Sequence, residues 1–152
     1  MRNQKRIAIE QLDRKLKPFY EIKNIDVPER GWIYTIRTTL NMTLQQLGYK
    51  LKITSQGVKD IEKRELSGSL TIKLLKEIAK ALDMQFVYGF VSNHNSIDKF
   101  IELKARELAG KLVLKNLNSL EGNKELNEDE IQQEIEEFAH EIKREIPRSL
   151  WD

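Results

Sequence analysis

The stretch from Thr43 to Glu62, which reads TLQQLGYKLKITSQGVKDIE, constrains the fold of this chain more than any other part of its sequence. Its apolar residues recur at helical spacing, which predicts two short helices joined by a tight turn. The predicted inward-facing positions are Leu44, Leu47 and Leu51 on the first helix, and Val58 and Ile61 on the second. Gly48 lies where the helices come closest, because a residue without a side chain lets their axes cross steeply.

The outward face of the second predicted helix is polar and carries Ser55, Gln56, Lys59 and Asp60. These side chains have hydrogen-bonding groups of the kind that read base edges in a major groove. A plain helical hairpin in an all-α bundle has the same apolar spacing and is the alternative interpretation. Gly48, the Thr-Ser pair before the second helix and the glutamate at position 62 together favour the DNA-reading arrangement.

The stretch from about Arg30 to Leu82 resembles the phage-repressor-like (XRE or Cro/C1-type) family of helix-turn-helix domains. The order MTLQQLG…ITSQGVKDIEK is similar to that family's run Met-Thr-x-x-x-Leu-Ala…Val-Ser-x-x-x-Ile-x-x-Glu. The resemblance implies a closing helix over Thr71–Leu82 and an earlier helix that holds Trp32, Ile33, Ile36 and Leu40.

Two residues depart from the family pattern. Gly48 stands where the family has a small alanine. Lys52 stands at the turn, where the family usually has glycine because the backbone needs a positive φ. A lysine in that conformation costs on the order of 1 kcal/mol. We therefore expect a slightly strained or reshaped turn.

The residues that we predict to contact DNA are Thr43, Thr54, Ser55, Gln56, Lys59, Asp60 and Lys63. The amide of Gln56 suits an adenine edge and the ammonium of Lys59 suits a guanine edge. Ser55 suits either a base or a phosphate, and Asp60 either accepts from cytosine or supports Lys59. The threonines at the two helix starts are expected to anchor backbone phosphates, aided by the helix dipoles.

Charge is distributed unevenly along the chain. Residues 1–80 hold 17 Lys and Arg against 9 Asp and Glu, whereas residues 81–152 hold 9 against 15. A basic half attracts phosphates and releases counterions, while an acidic half suits a basic protein partner. Ordinary solvated surface is the alternative interpretation of this asymmetry.

The chain lacks the residues that several classes of function require. The chain has no cysteine, so a disulfide framework, a zinc finger and a thiol nucleophile are excluded. It has no run of 18 apolar residues and no signal-peptide core, and we expect a cytoplasmic protein. His94 and His140 lack the neighbours that metal binding or general base catalysis requires. We expect no enzyme activity, no cofactor and no metal.

The sequence pattern near the N-terminus predicts an amphipathic helix over Asn3–Leu16. This helix would pack either against the core of its own chain or against a second copy in a dimer. The alternative is a basic arm that contacts backbone phosphates. Pro18 and Pro28 bracket a link that we predict to be irregular. Gln85–Val91, which reads QFVYGFV, predicts a strand because it is rich in aromatic and β-branched residues. It would pair either with Tyr20–Val27 or with the same strand of a second copy, which would make a homodimer.

The C-terminal part predicts two helices, over Ile97–Leu117 and from about Glu128 to Ile146, the second with a strongly acidic face. The fold class is therefore mainly α: a phage-repressor-like helix-turn-helix bundle with one short β-strand and two C-terminal helices. The predicted divisions are a helix and linker (1–29), the DNA-binding domain (30–84), the strand (85–92) and a helical partner-binding region (93–152).

The whole chain resembles a narrower family called mobile mystery protein A, through EQLDRKLKPF, RGWIYTIRTTLNMTLQQLG, FVYGFV and the tail PRSLWD. Members are repressor-like proteins typically paired with a neighbour, mobile mystery protein B, that carries a Fic domain. Fic domains mostly transfer AMP from ATP to a hydroxyl. The resemblance implies an autoregulatory, antitoxin-like repressor that binds its own promoter DNA. The alternative is a protein-binding antitoxin that inhibits a Fic toxin through its C-terminal helices, with DNA binding secondary.

That resemblance also implies an inhibitory residue. Fic-restraining helices commonly read Ser/Thr-x-x-x-Glu-Gly/Asn, and their glutamate pairs with an active-site arginine of the Fic domain. Glu121 and Gly122 match the Glu-Gly pair, whereas Leu117 replaces the Ser/Thr. The alternative is that Glu121 is solvated and Gly122 ends a helix as its C-cap.

Overall fold

The chain is mainly helical in the computed structural model, which describes residues 3–119 and 126–152. Within these residues there are seven α-helices, a final 3-10 helix over Arg148–Trp151, and no strand. The α-helices are α1 (Gln4–Ile22), α2 (Trp32–Thr39), α3 (Leu44–Leu51), α4 (Ser55–Ser67), α5 (Ile72–Ala81), α6 (Ile97–Ser119) and α7 (Glu128–Glu145). The prediction of a mainly α fold is confirmed.

The helices form two compact units. Asn24–Tyr88 is one unit, and it contains α2 to α5. Residues 3–23 join Gly89–Asp152 in the other, which contains α1, α6, α7 and the 3-10 helix. We call them the four-helix unit and the discontinuous unit.

Every helix of the four-helix unit contributes to one apolar core. Its buried residues are Ile33, Leu47, Val58, Ile61, Ile78 and Leu82. The predicted inward-facing positions on α3 and α4 therefore do face the core, with Leu47 and Val58 completely buried. Burying apolar side chains of this size contributes about 1.5–3 kcal/mol each. Core packing thus holds α3 and α4 together.

The discontinuous unit is built around α6, which packs along α7 and against α1. Its core contains Ile101, Ala105, Ala109, Ala139, Ile142 and Leu150. The helix start is tied to α1, because the Asp13 carboxylate accepts hydrogen bonds from the amides of Ile97 (2.7 Å) and Asp98 (3.1 Å). Asn127 caps α7 by accepting from the amide of Glu130 at 2.8 Å.

Two predictions about the segments between helices are wrong. Gln85–Val91 forms no strand, because no second strand lies beside it within the described residues. The intrachain partner considered for it, Tyr20–Val27, begins inside α1. The link after Pro18 is helical as far as Ile22 rather than irregular. Contacts outweigh the one hydrogen bond that proline removes there, since Phe19 packs on Gly89 and the Tyr20 hydroxyl accepts from the amide of Ser92.

Candidate nucleic-acid interface

The starts of α3 and α4 are both capped by threonine. Thr43 accepts a hydrogen bond from the amide of Gln46 at 3.1 Å, and the Gln46 side chain accepts from the amide of Thr43 at 2.9 Å. Thr54 accepts from the amide of Gly57 at 3.0 Å. Each hydroxyl keeps its own hydrogen, which is free to be donated outward. Both helices therefore begin with a hydroxyl donor beside unpaired backbone amides, an arrangement that suits phosphate.

The turn between α3 and α4 has the left-handed backbone that the sequence predicts. Lys52 has φ 60° and ψ 41°, and its amide donates to the carbonyl of Tyr49 at 3.2 Å. The amide of Ile53 donates to the carbonyl of Gly48 at 2.9 Å. A Cβ at Gly48 would lie only 2.7 Å from the Ile53 carbonyl oxygen. The close approach predicted at Gly48 is thus a contact with the backbone that leaves the turn.

The predicted reading face of α4 lies in solvent. Its five members, Ser55, Gln56, Lys59, Asp60 and Lys63, are all exposed. Within the described residues, none of their side chains makes a hydrogen bond or an ion pair, so Asp60 does not hold Lys59. Polar side chains without an intramolecular partner keep their full capacity to bind an external one.

The opposite side of α4 is fixed by a buried ion pair. Arg37 of α2 and Glu62 of α4 meet through two contacts, Nε to Oε2 at 2.8 Å and Nη2 to Oε1 at 3.1 Å. Their side chains are only 9% and 10% exposed. A third bond runs from Arg37 Nη1 to the carbonyl of Met42 at 2.9 Å. The hydrogen bond that Arg37 donates to the Glu62 carboxylate raises the pKa of Arg37, so the guanidinium stays charged.

A second carboxylate of α4 caps the start of α2. Glu65 accepts hydrogen bonds from the amides of Trp32 (2.6 Å) and Ile33 (2.8 Å). The preceding residue, Gly31, has φ 88°, and a Cβ there would lie 2.9 Å from the Glu65 carboxyl carbon. Two turns of α4 are therefore tied to α2, and this fixes the direction in which the exposed face of α4 points.

The sequence did not predict the Arg37–Glu62 ion pair or the Glu65 cap. The one available signal for Arg37 is its position four residues after Ile33, which places a charge on the inward face of a helix. The sequence draws attention to Glu62 only through the family pattern. No sequence signal indicates that Glu65 reaches the start of a helix 33 residues earlier.

The exposed charges around α3 and α4 are mainly positive. Lys50, Lys52, Lys59 and Lys63 are exposed, with Asp60 as the one acidic residue among the predicted contacts. An open depression on the outer side of α3 continues this surface and is lined in part by Gln45, Tyr49 and the first two lysines. Phosphates are attracted to a surface of this sign.

Glu121 and Gly122 lie outside the residues that the structure describes. His94 stacks on Phe100, with ring centroids 5.6 Å apart. In the described ranges, no three His, Cys, Asp or Glu residues are grouped as a metal site. No described helix combines the length and apolarity needed to cross a bilayer.

Comparisons with protein-family models, curated proteins and solved structures find no match to this chain.

Proposed function

We propose that this chain is a sequence-specific DNA-binding regulator and that its four-helix unit is a phage-repressor-like helix-turn-helix domain. The observation that carries the proposal is the arrangement of α4. One side of that helix is fixed by the Arg37–Glu62 pair and the Glu65 cap, and the other side exposes five polar side chains without partners. A rigid helix with free polar groups is what direct reading of base edges requires.

The dimensions of α4 support this role. Its 13 residues span about 20 Å at the usual rise of an α-helix, and a major groove about 12 Å wide accepts one. In helix-turn-helix proteins the N-terminal residues of the reading helix contact the bases. Gln56 and Lys59 occupy such positions here. The hydroxyls of Thr43 and Thr54 then bind phosphates on either side of the groove.

The charge of the surface sets the salt dependence of binding. Lys50, Lys52, Lys59 and Lys63 each release counterions if they neutralise a phosphate. With Lys59 on a base, the three other lysines give a slope of about −2.7 in a plot of log affinity against log salt concentration, whereas a phosphate contact by Lys59 would make the slope about −3.6. The slope separates phosphate contacts from base contacts, since only the former contribute to it.

The test is binding of the purified chain to its own upstream DNA and to a scrambled duplex of the same composition, across a salt series. We expect tighter binding to the upstream DNA at every salt concentration. Equal, weak binding to both duplexes would contradict the proposal. Lys59→Ala adds detail, because a loss that leaves the salt slope unchanged identifies Lys59 as a base contact.

A second proposed function is that of an antitoxin which binds a Fic-domain protein, as the family resemblance implies. It is favoured by α7, whose exposed face carries a row of carboxylates: Glu128, Asp129, Glu130, Glu134, Glu136, Glu137 and Glu141. Such a face suits a basic protein surface rather than DNA. The operon would then be repressed by the same protein that restrains the toxin.

Charge reversal on α7 tests the antitoxin proposal. We expect Glu134→Lys with Glu141→Lys to weaken co-purification with a Fic-domain protein encoded beside this chain. DNA binding through α4 should stay unchanged or strengthen. Unchanged co-purification of the variant would contradict a role for this face.

A further inference from the structure

The segment Pro147–Asp152, which we call the strap, follows α7 and folds back onto α6 as the 3-10 helix. Two of its side chains attach it to the discontinuous unit. Leu150 is buried in the core, and the ring of Trp151 stacks on that of Phe100 with centroids 5.5 Å apart. In the described part of the chain, the strap forms no hydrogen bond and no ion pair with residues outside itself. Its attachment is therefore apolar.

The residue that joins α7 to the strap has a strained backbone. Ile146 has φ 47° and ψ 65°, in the left-handed region, and it comes directly before Pro147. A residue branched at Cβ rarely adopts this conformation, and a residue before proline is ordinarily extended. Of the five non-glycine residues with positive φ in the described ranges, Ile146 alone is branched at Cβ. Such strain persists only where the surrounding structure imposes it, and it is concentrated at active sites and switch regions.

The end of α7, on the other side of Ile146, is held by hydrogen bonds from α1 and the residue before it. The Asn3 side-chain amide donates to the carbonyl of Arg144 at 2.8 Å, and the Lys5 ammonium donates to the carbonyl of Glu145. Polar contacts thus fix the last turn of α7, whereas apolar contacts alone attach the strap. This contrast places a boundary at the strained residue.

We propose that the strap opens about Ile146 while α6 and α7 stay folded, and that its opening uncovers an apolar seat at the start of α6. The seat consists of the Phe100 ring, on which Trp151 stacks, and the core site that Leu150 fills. The strap is thus an intramolecular ligand of the seat, with one aliphatic and one aromatic side chain on adjacent residues. This device belongs to the discontinuous unit and goes beyond the regulator proposed above.

The seat is held in place by contacts other than those of the strap. The Phe100 ring also stacks on His94, with centroids 5.6 Å apart. The first turn of α6 is tied to α1, because the Asp13 carboxylate accepts from the amides of Ile97 and Asp98. The surface that the strap covers therefore stays formed when the strap leaves, and the strap can close on it again.

Hydrogen exchange of the unmodified full chain, measured by NMR, tests the opening. The amide of Leu150 donates to the carbonyl of Pro147 at 3.0 Å and monitors the strap, while the amides of Ala105 and Ala139 monitor α6 and α7. We expect a protection factor at least about 100-fold lower for Leu150, because one turn of 3-10 helix does not persist once detached.

Low concentrations of urea distinguish local opening from unfolding of the unit. They should leave the protection factor of Leu150 nearly unchanged, since strap opening exposes little surface, and should lower those of Ala105 and Ala139. One shared protection factor and urea dependence for all three amides would overturn the proposal. The measurement needs no DNA, so its failure is separate from a failure of DNA binding.

Leu150→Asp in the full chain tests the seat, because a carboxylate is not accommodated in the apolar core site. We expect the fluorescence of the apolar dye ANS to rise at least about threefold, with the helical circular dichroism signal unchanged. Leu114→Asp, an exposed position on α6, should change neither. A loss of helical signal in Leu150→Asp contradicts the proposal, because Leu150 would then support the whole unit. An unchanged dye signal contradicts it as well.

Two substitutions at position 146 test the hinge. Ile146→Leu keeps an apolar side chain of the same size without the branch at Cβ, so it should relieve part of the strain and slow exchange of the Leu150 amide about threefold. Ile146→Val keeps the branch and should not slow it. Equal exchange rates in the two variants would overturn the assignment of Ile146 as the hinge.

Discussion

At the scale of single residues, Lys52 is a lysine in a conformation that favours glycine. We expect Lys52→Gly to raise the free energy of unfolding by up to about 1 kcal/mol, because it relieves a left-handed backbone at φ 60°. Urea unfolding followed by circular dichroism measures the change. Lys50→Gly is the matched control: it removes the same charge from the interior of α3 and should lower stability by about 1 kcal/mol. Destabilisation by both variants would contradict the strain assigned to Lys52.

The Arg37–Glu62 pair is a second residue-scale device. We expect Arg37→Met to lower the free energy of unfolding by about 3–5 kcal/mol, because it leaves Glu62 buried without a partner. The double variant Arg37→Met with Glu62→Leu should recover most of that loss. If the double variant is as unstable as the single one, the buried charge is not the cause.

The sign of the Arg37 pKa shift sets the pH range over which this pair contributes. The folded-state pKa of Arg37 is raised above its already high ordinary value, so its contribution is present throughout the neutral range and is lost only at strongly alkaline pH. We therefore expect no part of any stability change between pH 5 and pH 9 to come from Arg37.

Gln56 is the residue on which base discrimination is expected to depend most. Gln56→Ala should reduce discrimination at one base position by about 1–3 kcal/mol and leave binding to scrambled DNA nearly unchanged. Fluorescence anisotropy with single-substituted duplexes measures it. Gln132→Ala, an exposed glutamine on α7, is the matched control. Equal loss of binding to scrambled DNA would remove Gln56 from base reading.

At the scale of helices and segments, the sequence predicts what is encoded locally. The apolar faces of α3 and α4, the Asn127 cap and the left-handed turn all follow from residues a few positions apart. The Arg37–Glu62 pair joins residues 25 positions apart and the Glu65 cap joins residues 32 and 33 positions apart, and no local sequence pattern predicts either contact. The predicted strand failed for a related reason, since composition describes a strand but cannot supply its neighbour.

Gly48 links the turn to helix packing. We expect Gly48→Ala to lower the free energy of unfolding by about 1–3 kcal/mol, because its Cβ would lie 2.7 Å from the Ile53 carbonyl oxygen, which is backbone. Gly110→Ala is the control, because a Cβ on that residue of α6 meets nothing within 4 Å. That variant should gain about 0.5–1 kcal/mol from helix propensity, as urea unfolding can measure. If Gly48→Ala leaves the free energy of unfolding unchanged, the backbone of the turn can shift to accept the added Cβ at little cost.

At the scale of the whole molecule, one of the two units is formed from two stretches that are far apart in the sequence. Sequence patterns divide a chain into consecutive stretches, so they do not reveal that residues 3–23 share a unit with Gly89–Asp152. The Asp13 carboxylate, which caps α6 from 84 positions away, is one bond that closes this unit.

Asp13→Ala tests that closure. We expect it to lower the free energy of unfolding by about 0.5–2 kcal/mol, the usual range for losing a helix cap. Asp26→Ala, an exposed aspartate of the four-helix unit, should change it by less than about 0.5 kcal/mol. Equal effects of the two variants, measured by thermal unfolding, would contradict the cap.

The discontinuous unit also sets an order of events on the ribosome. Its core includes Leu150, so it cannot close until that residue has been synthesised. The four-helix unit needs nothing beyond Tyr88 and is complete in the chain several seconds earlier, at usual elongation rates of about 5–20 residues per second. During those seconds α1 has been synthesised, but α6, the helix against which it packs, is not yet complete. The helices proposed to read DNA can therefore mature before the discontinuous unit does.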